Sequence, residues 1–206
     1  MTEALPWLLA SYLVGAIPAS YLAARLFGGI DLRQHGSKNL GATNLYRVLG
    51  WRYAIPVGLF DIAKGAVPVL LFAPRVSASP LFALLCGVLA VVGHVFSVFV
   101  RFRGGKGVAT AAGVMLGLTP AALGVAALVW VALVYLTGYV SVGSIAAAAV
   151  FPAAVFLLEQ PDRPEILWID AGVAAGIIWL HRANIRRLLN GTESRFGRRA
   201  APSPPA

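Results

Sequence analysis

The feature that most constrains the fold of this chain is a series of long apolar stretches separated by short polar loops. The apolar stretches occupy residues 4–27, 53–73, 81–100, 107–158 and 166–181. One membrane crossing takes about 20 apolar residues, fewer where a helix is short or the bilayer thins. The fourth stretch is too long for one crossing, and Thr119-Pro120 and Thr137-Gly138-Tyr139 divide it into three pieces. The sequence therefore predicts an all-α integral membrane protein with about seven transmembrane helices, the first of those three pieces being short.

Composition excludes the main alternatives to a membrane protein. Of the 206 residues, 59% are hydrophobic and only 12% are charged, whereas a soluble domain carries about 25% charged residues. The net charge of +9 comes without a nucleic-acid-reading motif, so we expect no nucleic-acid partner. Cys86 is the one cysteine, which excludes a disulfide framework and a metal-binding cysteine pair.

The distribution of basic residues predicts the orientation. Lysine and arginine concentrate in residues 31–52, in residues 101–106 and from residue 182 onward, while the opposite loops hold only Arg75 and a mixed group at 159–165. Cytoplasmic loops carry the excess of basic residues, so we expect the N-terminus outside and the C-terminus in the cytoplasm. Residues 1–196 are predicted to form one polytopic domain, and the proline-rich residues 197–206 a disordered tail.

Three polar clusters fall on the predicted cytoplasmic face. Residues 35–47 are rich in hydroxyl, amide and glycine residues, and Arg47 can offer a bidentate fork to phosphate. The alternative is an ordinary connector with a helix cap at Thr43 or Asn44. In the second cluster, glycines 104, 105 and 107 surround Lys106, a pattern in which backbone amides and a mobile cation converge on an anion. The alternative for the arginines at 101 and 103 is a simple membrane-surface anchor.

The third cluster, residues 181–193, follows the last apolar stretch. Helical spacing places His181 and Asn184 on one face. Glu193 is the one carboxylate among basic groups, so we expect a structural ion pair. Asp61 and Lys64 lie three residues apart inside the second stretch, which indicates either a functional site or a mutually neutralising pair against a neighbouring helix.

These clusters carry a resemblance to a known family. The runs 36–44 (GSKNLGATN), 93–96 (GHVF) with 104–107 (GGKG), and 181–193 (HRANIRRLLNGTE) resemble the three motifs of the bacterial acyl-phosphate:glycerol-3-phosphate acyltransferases, the PlsY family. Residues 60–65 (FDIAKG) also resemble that family. Two positions depart from its pattern: Lys38 stands where glycine is common, and Ser97 where proline is common.

The resemblance implies a seven-helix enzyme of the bacterial inner membrane with its active site facing the cytoplasm. It would transfer a fatty acyl group from acyl phosphate to the sn-1 hydroxyl of glycerol 3-phosphate, without acyl-CoA or acyl carrier protein as direct donor, as the first step of phospholipid synthesis. Its partners would be these two substrates and membrane lipids, with no cofactor and no metal; the oligomeric state stays open. The residues expected to serve catalysis are Ser37, Asn39, His181 and Asn184. Those expected to bind substrate are Arg47, Asn44, His94, Lys106, Gly104, Gly105 and Gly107, while Glu193, Asp61 and Lys64 are structural or of undecided role.

Two mechanisms and two functional classes remain open from the sequence. A phosphate oxygen of a substrate can take the hydroxyl proton in a direct transfer, which we favour because a cation-rich basin makes His181 a poor proton acceptor. The second mechanism passes through an acyl-Ser37 intermediate. The rival class is a membrane transporter of a phosphorylated metabolite, which the lack of an inverted repeat disfavours.

Overall fold

The computed structural model describes residues 3–159 and 164–197, and the regular elements within them are all helical. Short 3₁₀ and π turns occupy Leu32–Gln34, Pro68–Phe72, Ala73–Arg75 and Val98–Val100. The ten α-helices of the described residues are α1 (Ala4–Ala16), α2 (Ala19–Gly28), α3 (Ala42–Leu49), α4 (Trp51–Val67), α5 (Pro80–Val95), α6 (Val108–Leu118), α7 (Pro120–Thr137), α8 (Val140–Leu158), α9 (Pro164–Leu180) and α10 (Arg182–Leu189).

The breaks expected inside the long apolar block are helix boundaries. Pro120 opens α7, a position where its missing N–H costs no helical hydrogen bond. Gly138 closes α7 at φ +75°, the left-handed conformation that glycine adopts readily at a helix C-terminus. The block thus forms α6, α7 and α8, and α6 is short, as predicted.

Hydropathy and length identify the membrane-crossing candidates. Five helical segments qualify: Ala4–Gly28, Trp51–Arg75, Pro80–Val100, Pro120–Thr137 and Val140–Leu158. α9 and α10 qualify together, with a bend of 49° between them, and α6 is apolar but short. The predicted all-α membrane class is confirmed. The count of seven crossings, the orientation of the termini and the 1–196 domain boundary stay predictions, and residues 198–206 of the predicted tail lie outside the described part of the chain.

Small residues let the helices approach closely where they cross. A Cβ atom on Gly15 of α1 would overlap the Ala90 carbonyl of α5, and one on Gly65 of α4 would overlap the Thr110 carbonyl of α6. In a lipid environment such small-residue contacts allow the van der Waals packing that holds helices together. The first crossing joins α1 to α5 and the second joins α4 to α6, and the second polar cluster lies between the end of α5 and the start of α6.

Candidate functional site

A cavity of about 590 Å³ lies between α3, α4 and α6 to α9 and brings the three polar clusters together. One end, called here the polar end, is lined by side chains of all three clusters: Ser37, Asn39, Asn44, Arg47, Lys106, His181, Asn184 and Glu193. The other end, called here the deep end, is lined mainly by apolar side chains: Leu123, Ala126, Phe151, Val173 and Ala174, together with Asp170. A single cavity thus has a cation-rich end and an apolar end.

Asn44 braces the first loop from inside. Its Oδ1 accepts a hydrogen bond from the Ser37 amide at 2.8 Å, and its Nδ2 donates to the carbonyls of His35 and Asn39, each at 3.0 Å. The Asn44 side chain is almost fully buried. Its polar atoms are therefore used to shape the loop that presents Ser37 and Asn39, which favours a positioning role over the direct substrate contact predicted for it.

The start of α3 corrects one sequence-based alternative. The helix begins at Ala42 after Gly41, and no side chain caps it. Neither Thr43 nor Asn44 is the cap, because both already lie within the first turn. The polar density of this loop is therefore not explained by helix capping.

Arg47 places a guanidinium group with an unpaired hydrogen-bond donor at the polar end. Its Nη2 donates to the Ser194 carbonyl at 3.0 Å, while its buried Nε has no hydrogen-bond partner among the residues that the structure describes. Burial lowers the pKa of Arg47, although the charge of Glu193 opposes that shift. A buried cation with an unused donor is suited to an anion that supplies the missing acceptor.

The glycines of the second loop act differently from the prediction. Gly104 N–H donates to the Val95 carbonyl at 2.9 Å, and Gly105 N–H donates to the His94 carbonyl at 3.1 Å. These amides are therefore already paired within the protein, which disfavours the predicted contact between them and a phosphoryl group. Glycine is needed here because a Cβ on Gly104 would overlap the His94 carbonyl, and one on Gly105 would overlap the His94 ring.

Gly107 lies at a different kind of position. Its φ is +80°, and α6 begins directly after it. Gly107 and Val108 line the cavity, so the positive end of the α6 dipole faces the polar end. The first turn of α6 therefore adds an anion-attracting element to the polar end, separate from the glycine loop.

Lys106 links the second cluster to the third. Its Nζ donates a hydrogen bond to Asn184 Oδ1. Burial lowers the pKa of Lys106 to about 8, with Glu193 opposing the shift and Arg187 and Arg47 adding to it. Burial therefore disfavours the charged form of Lys106, and a bound anion would favour it.

Glu193 organises the surroundings of Lys106. Its carboxylate accepts hydrogen bonds from Ser141 Oγ at 2.8 Å, Asn184 Nδ2 at 2.6 Å and Arg187 Nε at 2.6 Å. Burial works to raise the pKa of Glu193, but these three hydrogen bonds outweigh it and hold the pKa below its usual value. The expected structural ion pair exists, and it also orients Asn184 toward Lys106.

Ser141 is a site residue that the sequence reasoning missed. It lies in the first turn of α8, directly after the Gly138-Tyr139 break. The positive-inside assignment puts that break on the same face as the three polar clusters. A serine next to a break on that face is therefore the sequence signal that could have identified Ser141 as a site residue.

His181 stands at the bend between α9 and α10. Its Nδ1 donates to the Ile177 carbonyl at 2.8 Å, since a carbonyl only accepts, and Nε2 is left as the other ring nitrogen. His181 and Asn184 are both buried and both line the cavity. The structure thus brings them together as predicted, across a 49° break rather than along one straight helix.

Asp61 and Lys64 form the mutually neutralising pair that was one of the two alternatives. Lys64 Nζ lies 2.8 Å from Asp61 Oδ1 and donates to the Ile17 carbonyl at 2.9 Å. His94 Nδ1 lies 3.7 Å from the same Asp61 oxygen. Asp61 and His94 also line the cavity, and the ion pair ties α4 to the end of α1 through Lys64. Within the described residues, neither Asp61 Oδ1 nor His94 Nδ1 makes a hydrogen bond of good geometry.

The two sequence departures have local explanations. Lys38 has φ +62°, a left-handed conformation in which glycine is unstrained and lysine is not. Ser97 is buried, and its hydroxyl donates to the Ala16 carbonyl at 2.5 Å. Ser97 thus holds the turn after α5 against the end of α1 by a hydrogen bond.

The comparisons with known proteins agree with this arrangement. Residues 5–191 match the family model described as glycerol-3-phosphate acyltransferase. Glycerol-3-phosphate acyltransferase 1 of Deinococcus radiodurans is 49% identical over 202 residues, covering 94% of this chain and 96% of that protein. The crystal structure of PlsY (YgiH), described as an integral membrane glycerol 3-phosphate acyltransferase in the glycerol 3-phosphate form, aligns with a TM-score of 0.87 and 38% identity over 94% of this chain and 96% of that one. Its lysophosphatidic acid form aligns with a TM-score of 0.84 and 37% identity over 94% and 95% of the two chains.

Proposed function

The chain belongs to the glycerol-3-phosphate acyltransferase family, and we propose that it transfers a fatty acyl group from acyl phosphate to the sn-1 hydroxyl of glycerol 3-phosphate. The products are 1-acyl-glycerol 3-phosphate and inorganic phosphate. The observation that carries the proposal is the shape of the cavity: its polar end holds Lys106, Arg47 and the α6 N-terminus, and its deep end is apolar. Such a cavity suits a phosphate-bearing polar substrate that meets an acyl chain.

The polar end supplies charge and position rather than a strong base. Lys106 and Arg47 hold the glycerol 3-phosphate phosphate, with Ser37 as a further donor, and Asn184 orients the reacting groups. Acyl phosphate already carries a good leaving group, so holding the two anions close together is the main task. Correct positioning of two reactants can supply about 7–11 kcal/mol of the barrier.

Direct transfer is the mechanism that we favour. The sn-1 oxygen attacks the acyl carbon, the bond from that carbon to the phosphate oxygen breaks, and the hydroxyl proton passes to a phosphate oxygen. An acyl-Ser37 intermediate would need a base next to the serine. Within the described residues, no imidazole or carboxylate is hydrogen-bonded to the Ser37 hydroxyl. A trapped acyl adduct on Ser37 would reverse this preference.

The cellular location is also a proposal. We place the multi-pass chain in the bacterial inner membrane with the polar end facing the cytoplasm, because the basic residues that flank this end follow the positive-inside pattern. Labelling from either side of sealed vesicles tests it, with one cysteine placed at Lys38 or at Ser79 in a Cys86→Ser background. The Lys38→Cys variant should react only with reagent on the cytoplasmic side, and the Ser79→Cys variant only with reagent on the outside.

The reaction is tested with purified, detergent-solubilised protein given palmitoyl phosphate and glycerol 3-phosphate. We expect phosphate release that depends on glycerol 3-phosphate, together with formation of lysophosphatidic acid, and no turnover with palmitoyl-CoA. Lys106→Ala should abolish release, whereas Arg75→Ala, which removes an exposed cation next to Trp7, is the matched control. Turnover with palmitoyl-CoA would contradict the donor. Uptake of glycerol 3-phosphate into liposomes without an acyl donor would favour the transporter alternative.

A further inference from the structure

Asp170 is a buried carboxylate that the proposed reaction does not use. It lies in α9, its exposed fraction is 2%, and it lines the deep end of the cavity. Neither Oδ1 nor Oδ2 has a hydrogen-bond partner within residues 3–159 and 164–197. Buried polar groups are nearly always paired, and an ionisable residue inside a membrane span calls for a functional explanation.

The position of Asp170 along α9 gives its depth in the cavity. It precedes His181 by eleven residues, which corresponds to about 16 Å along the helix axis. On α8, Phe151 follows Ser141 by ten residues, or about 15 Å, so both helices place the deep end at the same distance from the polar end. An extended alkyl chain advances about 1.25 Å for each carbon–carbon bond of 1.5 Å. This depth corresponds to about 13 bonds, so Asp170 lies level with about carbon 14 of an acyl chain whose carbonyl carbon is next to His181.

An unsubstituted acyl chain would leave the Asp170 carboxyl unpaired. A hydroxyl group on the distal half of the chain can donate a hydrogen bond to the Asp170 carboxylate, and it can also accept one when the carboxyl is protonated, so it can pair with Asp170 in either protonation state. Phe151 and Ala174 also line the deep end, and their apolar side chains offer no hydrogen-bonding partner to such a hydroxyl. The hydrogen-bond partner that the Asp170 carboxyl lacks would therefore have to come from the substrate.

We propose that Asp170 makes the deep end a hydroxyl-recognising subsite, so that the enzyme favours acyl donors hydroxylated near carbon 14 over unsubstituted chains of the same length. This proposal rests on the acyl transfer proposed above. It assigns to Asp170 the role of a specificity-determining residue that contacts the distal part of the acyl chain.

The test compares two donors of equal length on the full-length protein in detergent: 14-hydroxystearoyl phosphate and stearoyl phosphate. The measured quantity is the ratio of their kcat/KM values. We expect wild type to favour the hydroxylated donor about tenfold, the size of one hydrogen bond made instead of left unmade. Asp170→Leu should bring the ratio to about one, while Asp170→Asn, which keeps a donor and an acceptor, should retain part of the preference. With 3-hydroxystearoyl phosphate, whose hydroxyl lies near the polar end, Asp170→Leu should leave the ratio to stearoyl phosphate as in wild type.

The outcomes separate this proposal from the proposed reaction. Equal ratios in wild type and Asp170→Leu, with both donors turned over, would overturn the hydroxyl subsite and leave acyl transfer intact. If wild type turned over neither donor, acyl transfer itself would fail. The subsite is then decided by the binding of free 14-hydroxystearate and stearate, followed through the intrinsic fluorescence of the protein, to which Trp130 in the lining of the same cavity contributes. Tighter binding of the hydroxylated acid that Asp170→Leu removes supports the subsite, and equal binding of the two acids overturns it.

Discussion

At the polar end of the cavity Glu193 accepts hydrogen bonds from three side chains, whereas at the deep end Asp170 accepts none within the described chain. A third carboxylate, Asp61, forms an ion pair with Lys64, whose Nζ lies 2.8 Å from Asp61 Oδ1. All three carboxylates are buried, so burial alone does not define their roles. A carboxylate with protein partners organises its surroundings, while one without partners leaves its hydrogen-bonding capacity to a ligand.

Replacement of Asp61 should have the largest effect, and it should fall on stability. Asp61→Asn leaves the buried Lys64 charge without its counter-ion. The loss of one partner of a buried ion pair lowers the free energy of unfolding by about 3–5 kcal/mol. For a chain of this size 1 kcal/mol shifts the melting temperature by about 2–4 °C, so thermal unfolding in detergent should show a fall of about 10 °C. Asp170→Asn is the matched substitution and should not lower the melting temperature, because it removes no ion pair. A similar fall in both variants would break the distinction between partnered and unpartnered carboxylates.

Replacement of Glu193 should affect activity next most strongly. Glu193→Gln removes the charge that offsets Lys106 and Arg187 and weakens the hold on Asn184, and hydrogen bonds to charged groups contribute about 1.5–3 kcal/mol. The expected loss is about 10–100-fold in kcat/KM for glycerol 3-phosphate. Glu159→Gln is the control, because Glu159 also accepts backbone hydrogen bonds, from Ala121 and Ala122, but lies away from the cavity. Unchanged kinetics in Glu193→Gln would show that its network is not needed for the site.

The pH dependence of kcat/KM tests the same network, because it follows the charge of Lys106, which the nearby Glu193 carboxylate favours. The pKa of Lys106 is lowered by burial to about 8, so the charged form is lost as the pH rises through that value. We expect kcat/KM for glycerol 3-phosphate to fall about tenfold per pH unit above the pKa. Lys106→Arg should move this fall to higher pH, since arginine stays protonated. A profile that is flat to pH 10, or one that Lys106→Arg leaves in place, would contradict the role given to Lys106.

The smallest expected effect concerns the first loop. Lys38 has φ +62°, and a left-handed conformation costs a residue with a side chain about 1–2 kcal/mol relative to glycine. The greater freedom of glycine in the unfolded chain offsets part of this gain. Lys38→Gly should therefore raise the melting temperature by about 2 °C, whereas Lys38→Ala should not. A lower melting temperature for Lys38→Gly would show that the loop is not strained at this residue.

The helices and the meeting of the three clusters could be predicted from the sequence because the information is local. Apolar length sets the helices, Thr119-Pro120 and Gly138 set their breaks, and the bias of basic residues puts the clusters on one face. The role of Gly104 and Gly105 could not be predicted. Their amides pair with carbonyls of the preceding helix end, and only the path of the folded chain reveals that contact.

Asp170 was missed although the sequence carried an indication of it. It is the one acidic residue in the apolar stretch 166–181, and the reasoning that singled out Asp61 in the second stretch applies equally to it. What the sequence cannot give is the difference between the two. Asp61 has Lys64 one helical turn away, whereas the partners of Asp170 depend on which helices pack against α9.

The measurement that tests the central claim most directly is the equilibrium binding of glycerol 3-phosphate, by titration calorimetry without an acyl donor. The claim is that the cations of the polar end, held by the Glu193 network, form the phosphate site. Lys106→Met should weaken binding about 10–100-fold, the range expected for a charge-assisted hydrogen bond. Arg75→Met removes one exposed cation that stacks on Trp7 rather than lining the cavity, and it should bind as wild type does. Equal affinity of wild type and Lys106→Met would contradict the claim.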